Sequence, residues 1–343
     1  MAGPKNSFTI AGGVRAYRWT DAETGEETDV LSVTSIRKLC GEPHNLVSWK
    51  VANVVNLVMG VRKVEFTGPR GGLRKKYVQD GEFPGEFATK LLAAEGDEDE
   101  LARVRAWLNK QADEPRDVAA TRGTAVHAAI ELGYMQPDEA WIRTQFSNKR
   151  LTATADDLTF VRDCLRQYRS LRADVPFVIL SQEPQVWNLT AGYAGSFDAL
   201  IWMMPEGTAP EAIAFAQKKA DVGQIDLEIV KNVGGELVLA DWKTSSGVYS
   251  DHVVQVTAYM AAEFVGTDGV KDDRVTELLR AAQKGALVHI RPNGWTVHFC
   301  AFEAGTLLAF LGSCAFARFL ALHPEPTALF TGKLNGKADE DDD

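Results

Sequence analysis

The sequence predicts an α/β or α+β fold in which a mixed β-sheet is flanked by helices. Segments with helical spacing of apolar residues are interleaved with short apolar strand segments from residue 116 to residue 322. The strong turn sequence Pro292-Asn293-Gly294 indicates an antiparallel pair within the sheet. The chain has 343 residues, 45% of them hydrophobic, which is enough to bury a sizeable core without disulfides.

The N-terminal region, residues 1–115, is predicted to contain a hairpin, helices and a basic loop. Residues 14–33 alternate between apolar and polar and predict the hairpin. Apolar spacing predicts a helix over 44–63, and charge predicts a surface helix over 97–109. Residues 61–77 combine glycines, a proline and many cations, so we expect a mobile basic loop there. We expect its cations to contact nucleic-acid phosphates, with a solvated loop as the alternative: Arg62, Lys63, Arg70, Arg74, Lys75 and Lys76.

The second region, residues 116–325, is predicted to be the α/β core. The predicted helices cover residues 116–134, 156–172, 248–265 and 303–322. The predicted strands cover residues 175–180, 192–203 and 236–244, followed by a hairpin over 285–299. Residues 205–235 are interpreted as an exposed insertion between two strands. Residues 326–343 form an acidic tail that we expect to be disordered.

Composition argues against several classes of protein. The four cysteines have long, irregular spacing, which is not typical of a zinc ribbon or a disulfide framework. The sequence contains neither an apolar signal core nor a run long enough to span a membrane, so we expect a cytoplasmic protein. The net charge of −10 lowers the expectation of DNA binding but does not exclude it, because local charged patches steer polyanions.

Two acidic residues lie in otherwise apolar strand segments. Asp241 ends the segment Leu-Val-Leu-Ala, and Lys243 lies two positions later, on the same face of a strand. Asp198 lies in the predicted strand over 192–203. Burying these charges costs free energy unless a metal or substrate compensates them. If the two strands are neighbours, Asp198 and Asp241 converge, and His127 on the preceding helix is the candidate imidazole partner.

This set of groups suits metal-assisted phosphodiester hydrolysis. Two carboxylates with an imidazole favour Mg²⁺ or Mn²⁺. A bound metal lowers the pKa of water and neutralises phosphate charge. The lysine can orient or help deprotonate the water and offset the charge that develops in the transition state.

The order of these motifs resembles the PD-(D/E)XK nuclease superfamily. The pattern runs from Gly123-x-x-x-His127 through Gly195-Ser196-Phe197-Asp198 and Asp241-Trp242-Lys243 to Gln255-x-x-x-Tyr259. The histidine and the Gln-x-x-x-Tyr element are similar to the RecB-type branch, which includes CRISPR-associated and phage exonucleases. The resemblance covers roughly residues 120–300 and implies a restriction-endonuclease-like sheet.

The resemblance also implies roles for individual residues. His127, Asp198, Asp241 and the main-chain carbonyl of Trp242 would bind the metal, and Lys243 would be the catalytic lysine. Glu183 occupies the preceding strand, where many members carry a glutamate. Gln255 and Tyr259 would face the DNA or brace the site. Some members hold an iron–sulfur cluster, but the C-terminal region here offers only Cys300 and Cys314, so we expect none.

Several alternatives stay open at this point. The favoured hypothesis is an exonuclease of phage origin, with DNA as substrate and a recombinase or annealing protein as a candidate partner. The alternatives are a DNA-binding scaffold that does not cut, or a structure-specific endonuclease. Glu131 is either a partner that orients His127 or one member of a surface pair. His289 and His298 are expected to face each other across the hairpin, either as metal ligands or as half-exposed neighbours.

Overall fold

A computed structural model describes residues 7–10, 14–39, 54, 61–67, 73–79, 82–94 and 97–322 of the chain. The strands are β1 (Ser7–Ile10), β2 (Val14–Thr20), β3 (Glu27–Ser32), β4 (Val61–Thr67), β5 (Leu73–Gln79), β6 (Phe177–Gln182), β7 (Gln185–Asn188), β8 (Tyr193–Ser196), β9 (Ala199–Met203), β10 (Glu236–Lys243), β11 (Phe264–Thr267), β12 (Val270–Lys271), β13 (Lys284–Arg291) and β14 (Gly294–Ala301). The helices are α1 (Val33–Leu39), α2 (Glu82–Ala93), α3 (Glu98–Glu131), α4 (Glu139–Ser147), α5 (Ala155–Asp174), α6 (Pro210–Asp221), α7 (Leu227–Val233), α8 (Ser250–Met260), α9 (Asp273–Ala281) and α10 (Ala304–Leu322).

Two mixed sheets form the centre of the molecule. One has the strand order β1-β2-β3-β8-β7-β11-β12, with a parallel pairing of β3 and β8. The other has the order β14-β13-β10-β9-β6, with a parallel pairing of β10 and β13. The predicted mixed sheet with flanking helices is therefore confirmed, although the strands are divided between two sheets rather than placed in one.

Between β6 and β9 the chain passes twice between these sheets, at adjacent points. It leaves the five-stranded sheet after β6 and enters the other at β7, and it returns between β8 and β9. The single strand predicted over 192–203 is wrong for this reason: it divides at Phe197 and Asp198. Apolar residues continue on both sides of the division because each sheet buries its own half, so the sequence pattern shows no break.

The two faces of the five-stranded sheet bury separate hydrophobic clusters. In β10, Leu237 and Leu239 pack in a cluster that includes residues of α8, α9 and α10. Val238, Ala240 and Trp242 pack on the opposite face, in a cluster that includes residues of α3 and α5. This alternation confirms that β10 is a strand buried on both faces.

The insertion over 205–235 is helical and partly buried, so the expectation that it is exposed is wrong. It forms α6 and α7, and it buries Ala216, Ala220, Ile225 and Val230 against the core. The strands that it joins, β9 and β10, pair antiparallel, with Ala199 opposite Ala240. The predicted adjacency of the two acidic strands is thus confirmed.

The basic segment over 61–77 is a β-hairpin in the part that the structure describes, not a loop. β4 and β5 pair antiparallel from Val61 opposite Gln79 to Thr67 opposite Leu73. The alternation of valine and aromatic residues with lysine and arginine favours strands, and pairing satisfies the backbone hydrogen-bonding groups. The helix predicted over 44–63 lies mostly outside the described residues, and its last three positions belong to β4.

Helix α8 is shorter than the predicted helix over 248–265. It ends at Met260, and Phe264 and Val265 continue into β11, where they pair with Trp187 and Val186 of β7. The apolar spacing of this segment does not distinguish a helix from a buried strand, and pairing with β7 decides its last residues. The hairpins over 14–33 and 285–299, helix α5 and helix α10 agree with the predictions.

A single 34-residue helix, α3, replaces the two helical segments predicted over 97–109 and 116–134. Asp97 caps its start by accepting hydrogen bonds from the backbone N–H groups of Asp99 and Glu100. Pro115 lies within the helix, and the predicted division between residues 115 and 116 falls there. Among the described helices, none is long and apolar enough to cross a membrane.

Replacing Pro115 by alanine is expected to stabilise the protein. Proline inside a helix removes one hydrogen bond and clashes with the preceding turn, at a cost of about 3 kcal/mol. Pro115 is exposed, so Pro115→Ala loses little packing and should raise the free energy of unfolding in urea by roughly 1–3 kcal/mol. The matched control is Pro210→Ala, because Pro210 occupies the first turn of α6, where proline is well tolerated. A lower urea midpoint for Pro115→Ala would contradict this account.

Candidate active site

Asp198 lies where the chain returns from the seven-stranded to the five-stranded sheet. Its backbone carbonyl accepts a hydrogen bond from the backbone N–H of Glu183, at 3.0 Å. Glu183 lies at the other passage, between β6 and β7, and has a φ of 47°, a left-handed conformation uncommon outside glycine. The hydrogen bond ties the two passages together, so both acidic residues are held at one place by backbone structure.

The Asp198 carboxylate contacts two other elements. Its Oδ1 lies 3.1 Å from Nδ1 of His127 on α3. Its Oδ2 accepts a hydrogen bond from the backbone N–H of Trp242 on β10, at 2.5 Å. The Asp198 side chain is 13% exposed, so it connects α3 to β10 in a nearly buried position.

Asp241 and Lys243 form an ion pair on one face of β10. Lys243 Nζ lies 2.5 Å from Asp241 Oδ2, and the two side chains are 16% and 5% exposed, respectively. The Asp241 Oδ2 is buried, and the Lys243 ammonium offsets its charge. Trp242 between them points to the opposite face, where its ring meets Tyr168 edge to face.

Burial in the site disfavours the ionised form of its carboxyl groups. Burial, together with the nearby charge of Asp198, raises the pKa of Glu183 to about 8. Burial likewise raises the pKa of Asp241, although the Lys243 charge opposes it. Burial also disfavours charge on Asp198, but the charges of His127 and Lys243 outweigh it and lower the pKa of that carboxyl. The pKa of His127 is raised, because attraction to Asp198 exceeds the effect of burial.

The chemistry of these groups fits a divalent cation. Carboxylate oxygens and an imidazole nitrogen are suitable ligands for Mg²⁺ or Mn²⁺. The burial of the Asp241 carboxylate and the repulsion between it and the Asp198 carboxylate are both features that a cation would relieve. In the described part of the chain, no three His, Cys, Asp or Glu side chains are grouped as a finished coordination shell, and each carboxylate oxygen of Asp198 instead contacts a nitrogen.

Gly123 allows α3 to approach the end of β10. A Cβ atom at this position would lie 2.8 Å from Oγ1 of Thr244, which directly follows β10. Thr244 is 9% exposed and has little room to move. His127 is one helical turn further along α3. The spacing Gly-x-x-x-His therefore has a steric meaning, because the glycine sets the distance at which the helix presents His127.

Gly195 has the same function for α8. A Cβ atom there would lie 2.6 Å from Cε1 of Tyr259, whose side chain is 2% exposed. Gln255 donates a hydrogen bond to the Tyr259 hydroxyl at 2.9 Å, and Arg37 donates one to Gln255 at 3.1 Å. Arg37 also pairs with Asp251 on α8. The buried side chain of Tyr259 braces α8 against β8.

Two arginines close to the site, Arg37 and Arg291, were not identified from the sequence. Arg291 donates a hydrogen bond to the Thr244 carbonyl, and His289 Nε2 lies 2.7 Å from the Ser245 carbonyl. Both residues lie on β13, where His289 is in register with Lys243. Arg37 is separated by more than 200 positions from the α8 residues it contacts, and no local pattern indicates it.

One of the sequence predictions at this site is wrong. His289 and His298 are not opposite each other, because His289 pairs with Thr296 and His298 pairs with Leu287. Of the two readings left open for Glu131, its exposed position favours the surface residue, since the imidazole of His127 contacts Asp198 instead.

The basic residues predicted to contact DNA lie apart from this cluster in sequence. Arg62 and Lys63 are on β4, and Arg74, Lys75 and Lys76 are on β5. Arg70 lies outside the described residues. Of the cysteines that the structure describes, Cys164 and Cys314 are buried and Cys300 is partly buried.

Comparison with known families gives one match. A family model described as the PD-(D/E)XK nuclease superfamily matches residues 99–284, more than half of the chain. The matched segment includes α3, both passages between the sheets, β10 and α8, and therefore all of the residues that converge on Asp198. A search of curated proteins found no match.

Replacing Gly123 by alanine is expected to displace α3 and reduce nuclease activity. The added methyl group would meet Thr244, and overpacking of this kind costs about 1–3 kcal/mol. We expect a lower melting temperature and a loss of activity larger than the loss of folded protein explains. Gly85→Ala is the matched control, because Gly85 is also helical but a Cβ there meets nothing within 4 Å. Equal stability and activity in the two variants would show that the close approach is unimportant.

Proposed function

Because the chain belongs to the PD-(D/E)XK nuclease superfamily, we propose that it is a metal-dependent DNA exonuclease with an active site built from His127, Asp198, Asp241 and Lys243. Membership of the family implies a nuclease that hydrolyses phosphodiester bonds in DNA. The observation that supports this active site is the convergence of His127, Asp198 and the Asp241–Lys243 pair from α3, the strand passage and β10.

The proposed metal is Mg²⁺ or Mn²⁺. We infer that Asp198, Asp241 and His127 would hold it with the main-chain carbonyl of Trp242. When bound, such a metal lowers the pKa of a water molecule and neutralises phosphate charge. The histidine in the set makes activation by Mn²⁺ as well as Mg²⁺ an expected result.

Lys243 is the proposed catalytic lysine. Its stem is nearly buried and its ammonium is held by Asp241, so it meets a substrate phosphate in a fixed direction. A fixed cation next to the reacting phosphate orients the attacking water and offsets charge that develops in the transition state. Glu183 is a further proposed catalytic residue, because its backbone hydrogen bond to the Asp198 carbonyl holds it beside that carboxylate.

The DNA contacts are proposed on the basis of charge and position. Gln255 is half-buried beside the site, and Tyr259 behind it maintains the position of α8. The hairpin of β4 and β5 carries Arg62, Lys63, Arg74, Lys75 and Lys76, which are suited to phosphate groups, and we retain Arg70 as a further phosphate contact.

The proposal that the nuclease cuts from DNA ends is more specific than the proposal of an active site. Its support is the resemblance of the Gln255-x-x-x-Tyr259 element and His127 to RecB-type exonucleases, which also suggests a role in phage DNA recombination, replication or degradation. A structure-specific endonuclease would use the same active site. A DNA-binding scaffold would keep the fold without cutting, and the intact Asp198, Asp241 and Lys243 set argues against it.

Loss of either charge of the ion pair on β10 is expected to abolish cleavage. Asp241→Ala and Lys243→Ala should each lower the rate of hydrolysis of end-labelled linear DNA by at least about 10²-fold, and chelation of divalent metal should stop the wild-type reaction. The matched controls are Glu236→Ala and Lys284→Ala, which break an ion pair of 2.5 Å at the other end of β10 and should leave the rate unchanged. Wild-type-like rates in both site variants would refute the proposed active site.

Sealed circular DNA distinguishes the two modes of cutting. An exonuclease needs an end, so the wild type should degrade linear DNA and leave a relaxed, covalently closed circle intact under the same conditions. Nicking the circle first should make it a substrate. Linearisation or nicking of the sealed circle, lost in Lys243→Ala, would replace the exonuclease assignment with an endonuclease.

A further inference from the structure

A groove next to the active site has no role in the chemistry described so far. It has a volume of about 710 Å³ and lies between the end of α3, helix α5, strand β6 and the insertion helix α6. Gln182, which lines it, immediately precedes Glu183, and Glu131, which also lines it, is one helical turn beyond His127 on α3. The groove therefore begins at the active site and extends away from it along β6.

Three arginines line this groove without a carboxylate partner among the residues that the structure describes. Arg169 and Arg172 project from α5, and Arg274 projects from α9. The guanidinium of Arg172 lies over the ring of Phe177, with Cζ 4.5 Å from the ring centroid. Arg274 donates a hydrogen bond to the Ile225 carbonyl at 2.9 Å. These contacts hold two of the cationic groups in position and leave N–H donors for a ligand.

The acidic side chains of the groove do not cancel this charge. Glu131 and Asp221 also line it, and Asp221 accepts a hydrogen bond from Gln217 at 2.8 Å. Three guanidinium groups against two carboxylates leave a positive balance, in a protein whose net charge is −10. A local cation excess of this kind is suited to an anionic ligand.

Other parts of the lining are apolar. Ile130, Leu132 and Met135 lie on the α3 side, and Ile179 lies on β6. Leu132 is 66% exposed, so its side chain is accessible to a ligand in the groove. Apolar side chains next to arginines provide what a nucleotide needs, namely a surface for the base and donors for the phosphate.

The volume indicates how much nucleic acid can enter. Pockets that hold small ligands have volumes of about 300–1,000 Å³. The groove is within that range, so it is suited to one or two nucleotides of a single strand and not to a duplex.

We propose that this groove binds a short single-stranded segment of the substrate next to the scissile bond, with its phosphates on Arg169, Arg172 and Arg274 and its bases on the apolar lining. This inference rests on the proposed nuclease function. It gives the insertion over 205–235 a role, since Gln217 and Ala220 of α6 form one wall of the groove.

The test compares two triple variants that remove the same charge. The groove variant is Arg169→Gln, Arg172→Gln and Arg274→Gln. The control variant is Arg162→Gln, Arg166→Gln and Lys218→Gln, which removes three exposed cations of α5 and α6 that do not line the groove. Binding of a fluorescein-labelled oligothymidylate is measured by anisotropy in chelator, so that no cleavage occurs, over a range of salt concentrations. Circular dichroism checks that each variant is folded.

We expect the groove variant to bind the oligonucleotide at least about tenfold more weakly than the wild type and the control variant. Each phosphate contact on a single strand contributes about −0.7 to the slope of log affinity against log salt, so three lost contacts should reduce that slope by about 2. Equal affinity and slope in all three proteins would overturn the proposal, as would a wild type that does not bind the oligonucleotide.

Two further outcomes distinguish this proposal from a site for a free nucleotide and from the proposed catalytic function. If thymidine monophosphate binds the wild type and loses affinity in the groove variant, while oligonucleotide binding is unchanged, the groove is a site for a free nucleotide and the strand proposal is wrong. If the wild type cuts no DNA but the groove variant still loses oligonucleotide affinity, the proposed catalysis fails and the groove assignment stands.

Discussion

The backbone hydrogen bond between Glu183 and Asp198 joins the two passages between the sheets, and the site depends on this junction. Because the passages are tied together, Asp198 is placed beside the end of β10, where the Trp242 N–H reaches its carboxylate. Helix α3 then adds His127 at the other oxygen. Two glycines, Gly123 and Gly195, set how closely α3 and α8 approach this junction, so the arrangement depends on backbone packing as much as on the charged groups.

The same arrangement has a cost in stability. Asp241 is buried, and burial raises its pKa although the charge of Lys243 opposes this effect. Burying an ion pair removes both charges from water, and their attraction repays that cost only in part. Glu183 adds a left-handed backbone at the junction. Such features persist where function requires them, and here they coincide with the residues of the proposed active site.

The sequence was sufficient where local periodicity decides structure and insufficient where tertiary pairing does. Because residues i and i+2 of a strand share a face, the sequence correctly predicts Asp241 and Lys243 on one face of β10. It could not show that the strand around Asp198 divides between two sheets, because both halves are apolar. Local composition predicts a loop over residues 61–77 and an exposed insertion over 205–235. In the structure β4 and β5 pair as strands, and Ala216 and Val230 of the insertion are buried. Arg37 could not have been found, since its partners on α8 are remote in sequence.

The central claim is that Asp198 and Asp241 form one divalent-metal site, and direct metal binding tests it without DNA or turnover. Electron paramagnetic resonance of free Mn²⁺ would be titrated with the wild type, with the Asp198→Asn and Asp241→Asn variants, and with Asp221→Asn as an acidic control outside the site. Both site variants keep the size of the side chain but lose its charge. The account predicts that each one binds Mn²⁺ more weakly than the wild type by over about tenfold, while Asp221→Asn does not. Unchanged Mn²⁺ affinity in Asp198→Asn and Asp241→Asn, in folded protein, would contradict it.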